Sequence, residues 1–297
     1  MAMTDLSISL EKGLRSIFIE QLAKEKPLTD AIATSIKSNS DLESYGHLSE
    51  APTPREWATG TDRQPQALSE KKLIVTNKRY EASISIGREQ LDDQAAGLGA
   101  LKPRIQELAT RASNFKSKMA IDMLIANPNA LDGNSFFGDH GAAGNNAVSG
   151  SGTTASAVSA DLSSSIEALR SLKDSEGEPF DSNVSGGLMV LCAPAMERAM
   201  QEVLSSVYIG GGNSNVMQSA AKLEVSSRLA DPNDWYLFVT NKPVKPLIYQ
   251  DRDPVEFGAL ESSSQTGFMS ELYHYGIRFR GACAPGVWQR AIHVSNA

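Results

Sequence analysis

Cysteine is scarce: Cys192 and Cys283 are the two such residues in 297. They lie far apart and outside any C-x-x-C or finger-like spacing, so neither a disulfide framework nor a structural zinc site organises the chain. Both are expected as small core residues. Long apolar runs are also missing. A run such as Leu188-Met189-Val190-Leu191-Cys192-Ala193 is about a third of the roughly 20 residues needed to cross a bilayer, so no membrane span is expected. The first residues offer Asp5, Ser7, Ser9 and Glu11 where a secretion signal sets basic and then apolar residues, which predicts a protein made in a cytoplasm.

Positive charge is in deficit, 28 Lys and Arg against 35 Asp and Glu, a net charge of -7. That argues against broad binding to a phosphate backbone, which needs a basic footprint. Aromatics make up 6% and are not interleaved with Lys or Arg, so a base-stacking platform is unsupported. The four histidines, at 47, 140, 274 and 293, include no i, i+4 pair around a Glu, the pattern of a helical zinc site. Asp139-His140 has the chemistry of two triad members, yet no G-x-S-x-G elbow accompanies it. Gly210 to Gly212 lacks the Lys-Ser/Thr of a phosphate loop, and Gly97-x-Gly99 lacks the third glycine of a dinucleotide site. Adjacent like charges at Asp92-Asp93 can raise a pKa. Neighbouring residues point different ways, however, and acidic groups near the start of a helix are favoured by its dipole. The expectation is a protein that is not an enzyme and has no catalytic set, cofactor or metal.

With 41% hydrophobic and 21% charged residues, the chain can build one large domain or two modest ones. Leu10, Leu14, Ile17, Phe18 and Leu22 fall on one helical stripe before Pro27. A helix this short is marginal alone, so the stripe needs a partner surface in this subunit or a neighbour. From Tyr45 to Thr76 the chain is rich in Pro, Ser, Thr, Gly and charge, a length of connection that is usually functional or disordered. Trp57 stands there beside Arg55, and both residue types are enriched at interface hot spots. Tyr80, Ala82, Ile84 and Ile86 alternate as in a half-buried strand. A helix beginning at Pro103 carries Ile105, Leu108, Ala109, Ala112, Phe115, Met119 and Met123; about two dozen residues make a rod of roughly 36 Å, suited to act as a spine.

Asn127-Pro128 ends that helix, and the Gly-, Ser-, Ala- and Asn-rich tract over 138–160 marks a domain boundary. Leu162, Ile166, Leu169 and Leu172 predict a helix, 188–192 a strand buried on both faces, Pro194 to Leu204 a helix, and 235–239 a second apolar strand. That alternation is the mark of a mixed α/β domain. Gly210 to Asn215 reads as a loop or tip. Tyr273, Tyr275, Ile277 and Phe279 line one face of a long strand able to cover the spine.

Several pieces in order are more specific than any one alone. Tyr45, Leu48, Pro52 or Pro54 and Arg55-Glu56-Trp57 come first. Asn77, Lys78, Tyr80 and Glu81 follow, then Arg88, Asp92, Asp93 and Gly97, then Asp132, Gly133, Phe136, Phe137 and His140. This succession resembles the major head subunit of Mu-like bacteriophages. The family sets Gly and Arg close behind the Trp; here Gly60 and Arg63 are separated by Thr61-Asp62.

The resemblance implies an α+β protein with the tailed-phage major capsid fold, also seen in encapsulins and herpesvirus capsid floors. On it, 1–44 is an N-terminal arm, 45–76 an extended loop, 77–152 a peripheral domain with the spine helix, 153–254 an α/β axial domain, and 255–297 strands returning to the peripheral domain. Arm and loop are expected to reach over neighbours, with Arg55, Glu56, Trp57, Arg63, Arg88, Asp92 and Asp93 as candidate assembly contacts. The implied partners are further copies in hexamers and pentamers of an icosahedral shell, a scaffold or protease, a portal and decoration proteins. The shell would enclose DNA without sequence-specific binding, in a virion made in a host bacterial cytoplasm. A mildly acidic wall would not trap such cargo. Two alternatives stand beside this: an encapsulin-like compartment shell, and a cytosolic hydrolase using Asp139-His140.

Overall fold

Helix α1 (Met3–Lys24) lies along helix α3 (Leu98–Ala126), and between them is the short α2 (Leu28–Ile32). The computed structural model describes residues 3–45, 57, 59, 62, 72–87, 98–174, 177–180, 184, 186–209, 213–260 and 271–296. Leu14 and Phe18 of α1 are buried against Leu101, Ile105, Leu108, Ala109 and Ala112 of α3. These α3 positions recur at helical spacing, so one row of α3 meets the single stripe of α1. Phe18 also stacks on Phe257, centroids 5.4 Å apart. Polar ties fix the pair: Arg15 Nη2 donates to the Phe257 carbonyl at 3.1 Å, and the Thr110 hydroxyl donates to Glu25 at 2.7 Å. Of the two partners left open for the stripe, this subunit or a neighbour, Leu14 and Phe18 therefore find theirs within the chain itself. Each large apolar side chain so buried contributes roughly 1.5–3 kcal/mol, the support that a helix marginal in water requires.

Helix α3 starts at Leu98, ahead of the predicted start at Pro103, which sits inside it. Proline there removes one intrahelical hydrogen bond near the end. The extra turn brings Leu101 into the core at 2% exposure, which offsets that loss. The other end is as expected: Asn127 adopts φ 43°, its N–H bonds the Met123 carbonyl at 3.1 Å, and Pro128 cannot continue the helix.

Among the described residues the larger sheets have four and five strands. The first runs β1 (Ala33–Lys37), β11 (Leu247–Leu260), β12 (Leu272–Pro285), β4 (Lys78–Gly87), with β1 parallel to β11 and the other pairs antiparallel. Tyr275, Ile277 and Phe279 of β12 are buried, the first two in the cluster shared with α1 and α3. Tyr80, Phe115 and Phe279 meet with centroids 4.8 to 5.8 Å apart, which pins β4 and β12 to the middle of the spine. The opposite face is charged: Arg278 reaches Glu256 at 3.2 Å, and Arg280 pairs with Asp41 and, at 3.7 Å, with Asp253. Pro254, which cannot donate to a ladder, falls where the β11–β12 register shifts.

The second sheet runs β5 (Ala147–Ser149), β13 (Ala291–Ser295), β10 (Trp235–Val239), β6 (Leu188–Cys192), β9 (Lys222–Val225). Every residue of β6 and β10 is buried. Their core includes Leu162 and Leu169 of α4 (Ala155–Ser171) and Met196, Met200 and Val203 of α5 (Pro194–Ser205). The Thr154 hydroxyl caps α4 by accepting from the Ala157 N–H at 3.3 Å. The stretch 255–297 does not all join the first sheet. Strand β13 crosses to the second, because Ala291, Ile292 and Val294, all fully buried, find a two-sided apolar environment between β5 and β10.

Candidate functional site

Two places carry the residues singled out in the sequence, and the first is the root of the 45–76 segment. Strands β2 (Leu42–Tyr45) and β3 (Leu73–Thr76) pair as a ribbon whose inner side, Tyr45, Leu73 and Val75, packs on Ile36, Ile248, Ala282 and Ala284. Beneath it lies a polar network. The Asn77 side chain donates to the Ser38 hydroxyl and the Ser40 carbonyl, both at 2.9 Å; the Tyr45 hydroxyl donates to Gln250 at 2.9 Å; the Ser38 hydroxyl and the N–H groups of Asn39 and Ser40 donate to Glu43. Those hydrogen bonds hold the Glu43 carboxyl below its usual range. Gln250 is fully buried and Ser38 nearly so, where low local dielectric strengthens the hydrogen bonds that are made, while the Asn77 Oδ1 is buried without a partner. The outer side of the ribbon is open, with Leu42 and Ile74 more than half exposed beside Ser44 and Thr76.

Trp57 is 60% exposed. Arg55, Glu56, Arg63, Arg88, Asp92 and Asp93 lie outside the described residues, so the candidate contacts are not seen together. A further open apolar group was not anticipated. Val207, Tyr208 and Val216, exposed 55%, 66% and 83%, flank or belong to the small hairpin of β7 (Tyr208–Ile209) and β8 (Asn213–Ser214). The only sequence signal for it was the glycine-rich tip.

The second place is the Asp132 to His140 turn, which couples the end of the spine to the second sheet. Asn127 clasps Phe137 in both directions, accepting its N–H at 2.7 Å and donating to its carbonyl at 3.0 Å. Asn146, fully buried, accepts from Gly138 N–H and donates to the carbonyls of Phe136, Trp288 and Ala291. Phe137 packs on Tyr236 and His293, rings of β10 and β13. His140 bonds Asp132 through Nδ1 at 2.5 Å and stacks on Trp288, while Asp139 accepts the Gly141 N–H. The Asp139-His140 pairing considered in the sequence is therefore replaced by Asp132-His140. Asn146 and Trp288 were missed because nothing local marks a residue whose partners lie 142 and 145 positions away.

Burial, with a smaller contribution from Glu197, pushes the Cys192 thiol up to about 12, so it is no nucleophile at neutral pH. Among the described residues no group of three His, Cys, Asp or Glu side chains could hold a metal, and no helix is long and apolar enough to cross a membrane.

Comparison with known proteins agrees with this geometry. The sequence profile of the Mu-like prophage major head subunit gpT family matches residues 8–161 and 225–297. A relative in Haemophilus influenzae, the Mu-like prophage FluMu major head subunit, is 23% identical over 296 residues, covering 98% of this chain and 74% of the relative. Among solved structures, a procapsid chain of bacteriophage JBD30 has a TM-score of 0.59 at 21% identity, over 99% of this chain and 75% of its own. A chain of the bacteriophage PhiM1 mature capsid has 0.60 at 10% identity, over 92% and 88%. The virus-like particle of Pyrococcus furiosus has 0.58 at 10% identity, over 96% and 98%. These likenesses establish the fold of phage major capsid proteins.

Proposed function

The chain belongs to the Mu-like prophage major head subunit gpT family, and on that premise we propose that it is the structural shell subunit of a phage head, copies of it closing around the packaged genome. The observation that carries this reading is the profile match itself, whose two stretches contain every strand of the four-stranded sheet and β5, β10 and β13 of the other. The family and fold are those of a structural capsid protein and not of an enzyme. Its place is the virion capsid. A compartment shell and a cytosolic hydrolase are not favoured: the likeness to the Pyrococcus particle is one of fold, and the His140 imidazole is fully buried, out of reach of a substrate.

Within that reading, the four-stranded sheet with α1 and α3 serves as the peripheral unit, and the five-stranded sheet with α4 and α5 as the axial one. Head-to-tail contacts between identical subunits close into rings when the rotation allows, here pentamers and hexamers. The ribbon of β2 and β3 anchors the root of the 45–76 segment, and Arg55, Glu56, Trp57 and Arg63 of that segment, with Arg88, Asp92 and Asp93 of the following stretch, are the contacts assigned to assembly in this reading. The open Leu42, Ile74, Val207, Tyr208 and Val216 are surfaces for further copies. At about 25 cal/mol per Å² of apolar area, each contact needs only modest strength, because several per subunit act together as in avidity. A scaffold or protease, a portal and decoration proteins complete the set of partners.

Electron microscopy and sedimentation of the purified chain, alone and co-expressed with a cognate scaffold, test this. Closed particles of uniform size are expected. A protein that stays monomeric in both preparations overturns the reading.

A further inference from the structure

Strand β4 is one margin of the four-stranded sheet: β12 lies on one side of it, and no described residue pairs with the other. Such a row of open N–H and C=O groups is a template for another chain, and margins are usually kept short, bent by a bulge or interrupted by proline. β4 has none of these devices. It is ten residues long where a typical strand has about 5–6, and its register with β12 runs unbroken from Lys78 to Gly87.

What the margin carries is charge near one end. Tyr80 points to the spine and packs on Phe115, so Arg79 and Glu81 share the opposite, exposed face. Neither has a hydrogen bond or ion pair with a described residue. Across the ladder Arg79 stands opposite another cation, Arg280, whose guanidinium is paired with Asp41 and Asp253; like charges so placed repel. Arg79 reaches Asp41 only as a weaker charge behind Arg280. Glu81 stands opposite Arg278, which is engaged by Glu256 and Asp253. An unmatched cation and an unmatched anion thus sit two residues apart on one open margin.

We propose that β4 pairs antiparallel with β4 of a second copy about a twofold axis at Tyr80, residues 78–82 of each strand forming the ladder and Arg79 of each copy meeting Glu81 of the other. The inference rests on the shell reading above, which supplies the second copy and calls for such a contact: head-to-tail contacts close subunits into a ring, and rings are joined into a shell by a different contact, here an isologous one. The charges select the register. Centring the axis on Arg79 or on Glu81 sets like charges face to face, and centring it on Ala82 or Ser83 leaves both opposite serine or glycine. The backbone ladder supplies the attachment. Exposed ion pairs contribute little by themselves, but like charges in their place deny the fit.

The test exchanges the charges. Arg79→Glu and Glu81→Arg are each expected to lower the yield of closed particles at least about tenfold, with circular dichroism of the unassembled chain unchanged. The double variant Arg79→Glu/Glu81→Arg is self-complementary again and should restore the yield. An equal mixture of the two single variants should restore it as well, since each fits the other but not itself. Particles assembled from a mixture of Arg79→Cys and Glu81→Cys chains should, on oxidation, give dimers joining position 79 of one chain to position 81 of another. Full yield from both single variants, a loss that neither the double variant nor the mixture restores, or the absence of such dimers overturns the proposal. If the unsubstituted chain forms no particles, the shell reading itself fails, and this inference with it.

Discussion

His140 and Trp288 lie face to face, ring centroids 3.5 Å apart and planes within 2° of parallel, although 148 residues separate them in sequence. The imidazole is fully buried and its Nδ1 is 2.5 Å from Asp132. The stack joins the turn after the spine to the segment entering β13. Trp288→Ala removes a buried aromatic and its stack together. It should cost about 3–5 kcal/mol, read as a lowered urea midpoint of the unassembled chain. A loss below about 1 kcal/mol would show that the junction is held elsewhere.

Asp132 gives this junction a pH dependence. Burial acts to raise its carboxyl pKa, but hydrogen bonds from His140 and Asn134 with the His140 charge outweigh it, and the folded value lies below the ordinary one. A lowered folded pKa contributes stability that is present above the unfolded value of about 3.9 and is lost as pH falls through the folded value. Denaturation profiles should therefore steepen below about pH 4, and Asp132→Asn should flatten that part of the curve. Parallel profiles for the two proteins would remove Asp132 from the account.

Phe18→Ala tests whether the chain covers its own first helix. The ring is 1% exposed and stacks on Phe257, so the loss should be about 3–5 kcal/mol, with faster hydrogen exchange confined to α1. A helix that serves only neighbours would show no change before assembly.

Gly281 faces the backbone of β11, where an added Cβ would stand 2.6 Å from the Gln250 carbonyl oxygen. Gly281→Ala must push two paired strands apart and should destabilise by about 1–3 kcal/mol, measured as a drop in the thermal midpoint. Gly258→Ala in the same sheet meets nothing within 4 Å and is the control.

Trp57→Ala separates folding from assembly. At 60% exposure its removal should change monomer stability by no more than about 0.5 kcal/mol. A hot-spot tryptophan is worth about 2 kcal/mol or more in an interface, so the concentration needed for assembly should rise at least tenfold. An unchanged assembly threshold would strike Trp57 from the contacts.

Elements with a strong period were legible from residues alone. The stripe of α1, the spine through Met123, the doubly buried β6 and β10 and the aromatic face of β12 each repeat at the spacing their geometry requires, and burial follows that spacing. The start of α3 was not legible, because Leu101 earns its place only against α1, which outweighs the helix-breaking tendency of Pro103. Nor was the partner of His140, since sequence adjacency favoured Asp139 while the turn at Gly133, φ 94°, swings Asp132 onto the ring. The order of the motif residues carried the family, but the contacts proposed for Arg55 and Trp57 would be properties of an assembly, which a single chain does not display.

What the sequence determined by itself was therefore the set of elements, their faces and the family, because periodicity and motif order are written in neighbouring residues. Only the tertiary structure decided which faces meet: α1 on its own spine, β13 in the second sheet, Asn146 and Trp288 closing the junction. Those choices depend on which buried surfaces and unpaired polar groups best satisfy one another across more than a hundred residues, and that competition is settled in space.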